Sequence, residues 1–132
     1  MASMIQAEII AIGSELLLGQ IIDTNSGSIA KRLAEIGIDL VQTTTVGDDL
    51  PRMERILREA MGRSAVVITT GGIGPTEDDL TREAVAHVTD RPLTFQPHLM
   101  EQVEALFKKR GFRMAESNWK QAFIPEASIP IE

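Results

Sequence analysis

Three glycines and the adjacent pair Asp78-Asp79 fall within one short run, Gly71-Gly72-Ile73-Gly74-Pro75-Thr76-Glu77-Asp78-Asp79-Leu80-Thr81. The run follows Ala65-Val66-Val67-Ile68-Thr69-Thr70, an apolar β-branched stretch that reads as a buried strand. It leads into Arg82-Glu83-Ala84-Val85-Ala86-His87, which reads as a helix. A glycine-rich turn between a parallel strand and a helix presents backbone N–H groups at the positive end of the helix, where phosphate binds. Paired carboxylates in the same turn suit a divalent cation beside that phosphate. The expected ligand is therefore a phosphorylated small molecule, held through Gly71, Gly72, Gly74, Thr76 and Thr81.

Two further acidic turns follow expected strands. The first is Gly13-Ser14-Glu15-Leu16-Leu17-Leu18-Gly19, with Asp23, Thr24 and Asn25 beyond it; the second is Val46-Gly47-Asp48-Asp49. In a parallel α/β sheet the ligand lies outside the carboxyl ends of the strands, so all three turns share one rim. Carboxylates converging there repel one another unless a cation or protons sit among them. Capping competes with this reading. Thr76 and Asp79 have the spacing of a capping box, and Asp48, Asp49 or Asn25 can each cap a helix. Glu15, between Gly-Ser and three leucines, has no capping task. With only His87 and His98 available, both in helical stretches, zinc or Ser-His-Asp chemistry has little support.

Alternating strands and helices must position these turns. Ala7–Ile12 reads as a first strand. A helix capped by Thr24 or Asn25 follows, carrying Ile29, Ala30, Leu33 and Ala34 on one face and stopping at Gly37. Ile38–Val46 is a second strand. A helix from Pro51 then turns Met53, Ile56, Leu57, Ala60 and Met61 to the core. After the third strand and helix, Pro97 opens a fourth helix with Leu99, Met100, Val103, Leu106 and Phe107 on its apolar side, ending at Gly111. The tail from Ser117 reads as short extended pieces with no new helix. Such alternation implies a sheet covered on both faces, and one that ends on a loose strand reads as incomplete. Met1 and Met4 are alternative starts, and residues 1–3 read as foreign to the domain.

Composition narrows the function further. The chain of 132 residues has the size of one domain. Its net charge of −6 and lack of a basic stripe argue against nucleic acid as a partner. The cluster Lys108-Lys109-Arg110 falls at a helix end, where cations suit the dipole. There is no cysteine, hence no thiolate ligand or nucleophile. No signal peptide or membrane-length apolar stretch is seen, so a cytoplasmic location is expected, with no membrane partner.

The glycine turn resembles the signature of the MoaB/Mog superfamily of molybdopterin-binding-type domains. Its proline and paired acids are more specifically similar to the amino-terminal domain of the CinA family. Gly13-x-Glu15-Leu16-Leu17-x-Gly19 with Asp23-Thr24-Asn25, Thr45-Val46-Gly47-Asp48, and Asn118-x-Lys120-Gln121-Ala122 agree, in the family's order. The resemblance implies a three-layer α/β/α domain over residues 1–132 with a mostly parallel sheet, assembled as a homo-oligomer. Mog-type relatives use acids in the positions of Asp79 and Asp48 in magnesium-dependent adenylylation of molybdopterin. CinA-type domains are associated with hydrolysis of the pyrophosphate bond of ADP-ribose, with a divalent metal (Mg²⁺ or Co²⁺) and K⁺. Asp78 stands where Mog-type relatives carry a basic residue, which favours the second chemistry. The resulting expectation has Asp79 and Asp48 as catalytic residues and Asp79, Asp78 and Glu15 as metal ligands. Asp23, Asn25 and Lys120 complete the pocket, with Arg82 or Lys120 reaching a second phosphate. The alternatives are a pterin-binding or adenylylating domain, and a non-catalytic nucleotide-binding or oligomerisation module. Family members continue past the Lys-Gln-Ala…Pro segment into a further loop, strand and helix, so the domain is expected to lack its last elements. Nothing in the sequence corresponds to the carboxy-terminal deamidase domain of larger members.

Overall fold

The computed structural model describes residues 4–131; residues 1–3, with one of the two alternative starts, and Glu132 lie outside the described residues. The centre of the molecule is β1 (Gln6–Ile12), buried from Ala7 to Ile12. Its burial follows from its position between two parallel neighbours, β2 (Asp39–Val46) and β3 (Val66–Thr70), in the order β2-β1-β3. Side chains alternate across a strand, so β1 feeds two cores. Ala7 and Ile9 pack with Ile29 and Leu33 of a helix over Thr24–Glu35, and Ile10 and Ile12 pack with Met53, Leu57 and Ala60 of another over Leu50–Arg63 and Ala84 of a third over Thr81–Thr89. Counting the single turn Ser14–Leu17 as α1, these are α2, α3 and α4. The result is a helix–sheet–helix sandwich, as the alternation implied.

The crossovers place the site. The chain runs from β1 through α2 to β2, then back through α3 to β3 on the far side of β1. Right-handed crossovers in opposite directions put their helices on opposite faces. The reversal leaves a switch point between the carboxyl ends of β1 and β3, where open α/β sheets bind ligands. Register levels the strand ends: Ile12 lies opposite Val46, and Ala11 opposite both Thr45 and Thr70.

Helix starts divide the acids by task. Asp23, and not Thr24 or Asn25, caps α2 by accepting the Ser26 N–H at 3.0 Å. Asp49 caps α3 by accepting the Arg52 N–H at 3.1 Å, with Pro51 in the first turn. Asp48 is thereby left for another role. Gly37 follows α2 in the left-handed region, φ 77°, as its position as a stop predicts.

Other expectations change. The stretch after α4 forms a separate two-stranded antiparallel sheet of β4 (Leu93–Phe95) and β5 (Phe123–Pro125), so the sheets are not all parallel. Between them lie α5 (Pro97–Lys109) and a 3-10 helix, Glu116–Ala122, where the sequence suggested extended chain only. Asn118 winds that segment: its N–H donates to the Ala115 carbonyl and its Oδ1 accepts the Ala115 N–H, both at 3.0 Å. Met61, Ala34 and Leu106, expected in the core, are exposed. Met61 flanks a groove beside β3, whose outer edge has no paired strand among the described residues. Leu106 borders a cleft between α5 and the 3-10 helix, and Ala34 lies at the margin of a stripe centred on Leu33. No helix among the described residues is long and apolar enough to cross a membrane.

Candidate functional site

The glycine turn follows β3 and owes its path to two positions that admit no side chain. Gly71 has φ 89°, and a Cβ there would fall 2.1 Å from the Ile12 carbonyl oxygen; Gly72 has φ 66°, and its Cβ would fall 2.2 Å from Thr81 Oγ1. Thr81 is buried and closes the turn. Its hydroxyl donates to the Gly71 carbonyl at 2.8 Å, and its N–H to the Gly72 carbonyl at 3.1 Å. Expected as a phosphate ligand, Thr81 instead sits behind the turn and spends its hydroxyl on the backbone.

Two cations hold further carbonyls. The Arg82 guanidinium donates to the Gly74 carbonyl at 3.0 Å and to the Ile73 carbonyl. Lys120, from the 3-10 helix, donates to the Thr76 carbonyl at 2.8 Å and to the Asp79 carbonyl, and its Nζ lies 3.4 Å from Glu83 Oε1. One or the other was expected to reach a second phosphate, and both are engaged with the turn itself. In a trans peptide the carbonyl and the next N–H point in opposite directions. Capture of the Gly71, Gly72 and Ile73 carbonyls by Thr81 and Arg82 therefore turns the N–H groups of Gly72, Ile73 and Gly74 the other way. Those of Gly72 and Ile73 have no acceptor among the described residues.

Asp79 closes the far side of this arc. Its Oδ2 accepts the Thr76 N–H at 2.9 Å and the Thr76 hydroxyl at 2.6 Å, and Gly74 approaches so closely that a Cβ there would lie 2.8 Å from that oxygen. The Thr76 hydroxyl bond holds the carboxyl below its ordinary range; burial opposes the shift, while the Thr76 and Gly74 amides and the Lys120 charge add to it. The Thr76–Asp79 pairing that the spacing suggested thus exists, but it shapes the turn and does not cap α4, whose N-cap Leu80 makes no side-chain bond. The Thr76 and Gly74 N–H groups are correspondingly engaged by Asp79, which shortens the expected phosphate seat to Gly72 and Ile73. Burial in the same loop lowers the pKa of Arg82, against the pull of Glu83 and Asp79.

The other two turns are tied together. The Ser14 N–H donates to Asp48 Oδ2 at 3.2 Å, and the Asp48 N–H donates to Ser14 Oγ at 3.1 Å. This exchange fixes Asp48 beside the start of α1. Glu15, one residue on, lines a cleft of about 140 Å³ with Ile12, Asp23, Asn25, Thr70 and Gly71, at the switch point between β1 and β3. Its carboxylate curls over Gly13, where a Cβ would meet Glu15 Oε1 at 2.5 Å, and has no hydrogen-bond donor among the described residues. Asn25 spans the cleft by donating to Thr70 Oγ1 at 3.2 Å. Asp23 lines it too, with its carboxylate occupied at the head of α2.

The structure therefore gathers Glu15, Asp23, Asn25 and Gly71 in one cleft, ties Asp48 to its edge through Ser14, and keeps Asp79 and Lys120 on the turn. Asp78 is exposed, with no hydrogen bond from its side chain among the described residues. Among the described residues no three acidic or histidine side chains stand close enough to form a metal cage. The oxygen donors suit a hard cation, which at such a rim completes its shell with water and ligand phosphate.

Comparison with known proteins identifies the fold that carries these residues. A family model described as a probable molybdopterin binding domain matches residues 8–129. The crystal structure of the protein CinA from Thermoplasma acidophilum, a protein of unknown function, superposes with a TM-score of 0.86 at 31% identity, over 98% of this chain and 75% of that one. The chain belongs to the CinA family.

This CinA-type domain is 46% identical over 127 residues to a CinA-like protein of Kosmotoga olearia and 49% identical over 116 residues to one of Thermomicrobium roseum. The matches take in 96% and 88% of this chain but only 31% and 29% of those proteins, so it spans under a third of their length. The molybdopterin biosynthesis enzyme MoaB of Thermus thermophilus shares the fold, with a TM-score of 0.65 at 24% identity, over 91% of this chain and 73% of that one. The expected MoaB/Mog-like α/β fold, with its mostly parallel sheet, is thus found. Sequence reasoning overlooked Ser14 and Thr70, whose hydroxyls position Asp48 and Asn25. The signal for Ser14 was its place directly after the glycine that ends β1.

Proposed function

We propose that this domain hydrolyses the pyrophosphate bond of ADP-ribose or a related nucleoside diphosphate compound, with a divalent cation of the Mg²⁺ or Co²⁺ type and K⁺. The carrying observation is the glycine turn, whose carbonyls are held by Thr81 and Arg82 so that the Gly72 and Ile73 amides face away from α4 with no acceptor among the described residues. Two amides on one arc, preset before a ligand arrives, would stabilise charge that builds on phosphate oxygen during attack by water. Glu15 and Asp48, at the neighbouring strand ends, would hold the cation, with water and ligand phosphate completing its shell, while Asp79, its Oδ2 taken by Thr76, shapes the turn beside it. When bound, that cation polarises the phosphorus and lowers the pKa of water. Asn25 and Asp23 border the cleft that receives the rest of the ligand. Water adds to one phosphorus, the bridging P–O bond breaks, and AMP and ribose 5-phosphate leave.

The second reading is molybdopterin binding or adenylylation, favoured by the family description and by the MoaB fold. The discriminating experiment measures AMP release from ADP-ribose with Mg²⁺, Mn²⁺ and Co²⁺, with and without K⁺, beside Asp79→Asn. Metal-dependent release that the variant abolishes supports the pyrophosphatase. Release unaffected by the variant refutes the site, and binding without release under every metal favours the pterin reading or a binding module. Assembly as a homo-oligomer and a cytoplasmic location accompany this proposal, and sedimentation of the chain at several concentrations tests the first.

A further inference from the structure

A second cavity borders the glycine turn. It lies between α5 and the 3-10 helix, has a volume of about 330 Å³, and counts Pro75 of the turn among its walls. That volume is in the range of sites for small molecules, roughly 300–1,000 Å³. Phe107 and Phe112 give it aromatic faces, and Arg110, Asn118 and Gln121 supply its polar groups.

The polar groups are ordered in one direction. The Ala115 N–H donates to Asn118 Oδ1 at 3.0 Å, which fixes the orientation of that buried carboxamide. Asn118 Nδ2 is then the donor to Gln121 Oε1, at 3.1 Å. Gln121 is left with its own Nε2, which has no acceptor among the described residues, and the same holds for the Arg110 guanidinium. The cavity thus combines apolar aromatic walls with the free donors of Gln121 Nε2 and the Arg110 guanidinium. A planar heteroaromatic ring with acceptor nitrogens or oxygens along its edge meets both demands. An aliphatic chain would leave the donors unmet.

The cavity is also mechanically one with the turn. Asn118 and Gln121 flank Lys120 on the same 3-10 helix, and Lys120 grips the Thr76 and Asp79 carbonyls. A ligand seated on the Gly72 and Ile73 amides would reach this pocket past Pro75, which the turn and the pocket share. We infer that the cleft between α5 and the 3-10 helix is the seat of the ligand's heteroaromatic base, with Phe112 stacking on its face and Gln121 donating to its edge. This rests on the reading of the glycine turn as a phosphate seat.

The test compares the binding of AMP and of ribose 5-phosphate, which lacks the base, to the metal-free chain by calorimetry. The chain's single tryptophan, Trp119, next to Asn118, supplies a fluorescence readout. AMP should bind the parent chain at least tenfold tighter than ribose 5-phosphate and alone perturb Trp119. Phe112 is 69% exposed, so Phe112→Ala leaves the core intact. It should weaken AMP about tenfold, leave ribose 5-phosphate unchanged, and be rescued by Phe112→Tyr. Equal affinity of the two probes, or equal weakening of both by Phe112→Ala, overturns the base seat while the phosphate seat stands. If neither probe binds, the phosphate seat itself falls, and the base seat with it.

Discussion

Gly71→Ala and Gly19→Ala form a matched pair that isolates the close approach of the glycine turn to β1. Both residues lie in the left-handed region, with φ 89° and 70°. A Cβ on Gly19 meets nothing within 4 Å, whereas on Gly71 it falls 2.1 Å from the Ile12 carbonyl oxygen. The left-handed conformation alone costs an alanine about 1–2 kcal/mol, which is the whole loss expected at Gly19. The reduced freedom of the unfolded chain offsets part of it, equally in both variants. At Gly71 the turn must also retreat from β1 by roughly 1 Å, which adds overpacking strain of about 1–3 kcal/mol. A gap of about 2 kcal/mol between the variants corresponds, at this chain length, to roughly 8 °C in Tm. Urea unfolding followed by far-UV circular dichroism measures the gap, provided that the two slopes agree. Equal destabilisation would refute the steric reasoning. The displaced turn should also lose phosphate-ligand binding in Gly71→Ala, with Gly19→Ala unchanged.

Lys120→Ala should release the Thr76 and Asp79 carbonyls and weaken AMP binding several-fold with little loss of stability, read by calorimetry beside thermal melts; unchanged affinity would show that the clamp is dispensable. Thr76→Val removes the main cause of the low Asp79 pKa, so the acid limb of metal-dependent turnover should move toward neutral pH, and a rate–pH profile checks the direction. Glu8 is buried at the base of β1, with two bonds from Arg63, at 2.9 and 2.8 Å, and one from Ser64 at 2.6 Å. The Arg63 bonds lower its pKa in the fold, so its stabilisation is complete above the ordinary carboxylate value and disappears as pH falls through the folded one. Glu8→Gln should therefore flatten the acid limb of a stability–pH curve. Met53→Ala, at a fully buried position facing Ile10, should cost about 2–5 kcal/mol by chemical denaturation and leave the ligand affinity of folded molecules unaltered.

Much of the scaffold was legible because its signals are local. β1 reads as a strand from its apolar run, Gly37 as a stop, and Gly71–Gly72 as a turn from residue type alone. The rim acids were legible as a group, but their individual tasks were not. Asp48 and Asp49 are neighbours of one type; only the structure shows Asp49 taking the Arg52 N–H while Asp48 reaches back across the strand ends to Ser14. The roles of Arg82 and Lys120 were hidden for a related reason. A cation near a phosphate loop looks like a phosphate ligand, and nothing in the sequence reveals that its charge is directed at carbonyl oxygens. The pairing of β4 with β5 was equally silent, since strands of three residues carry too little periodicity to declare themselves.

The grip of Lys120 on the turn ties together parts of the chain 44 residues apart. Such a contact closes a long loop, and its entropy must be paid before it returns any stabilisation. The three-stranded sheet and its helices are built within residues 6–89, without the later segment, while the turn reaches its final shape only when β4, α5 and the 3-10 helix have come back to meet it. Ligand binding at the turn is therefore coupled to the docking of that later segment. A chain whose excursion has not docked would show a native-like sheet and an unfinished turn, so binding competence, and not secondary structure, reports the completed molecule.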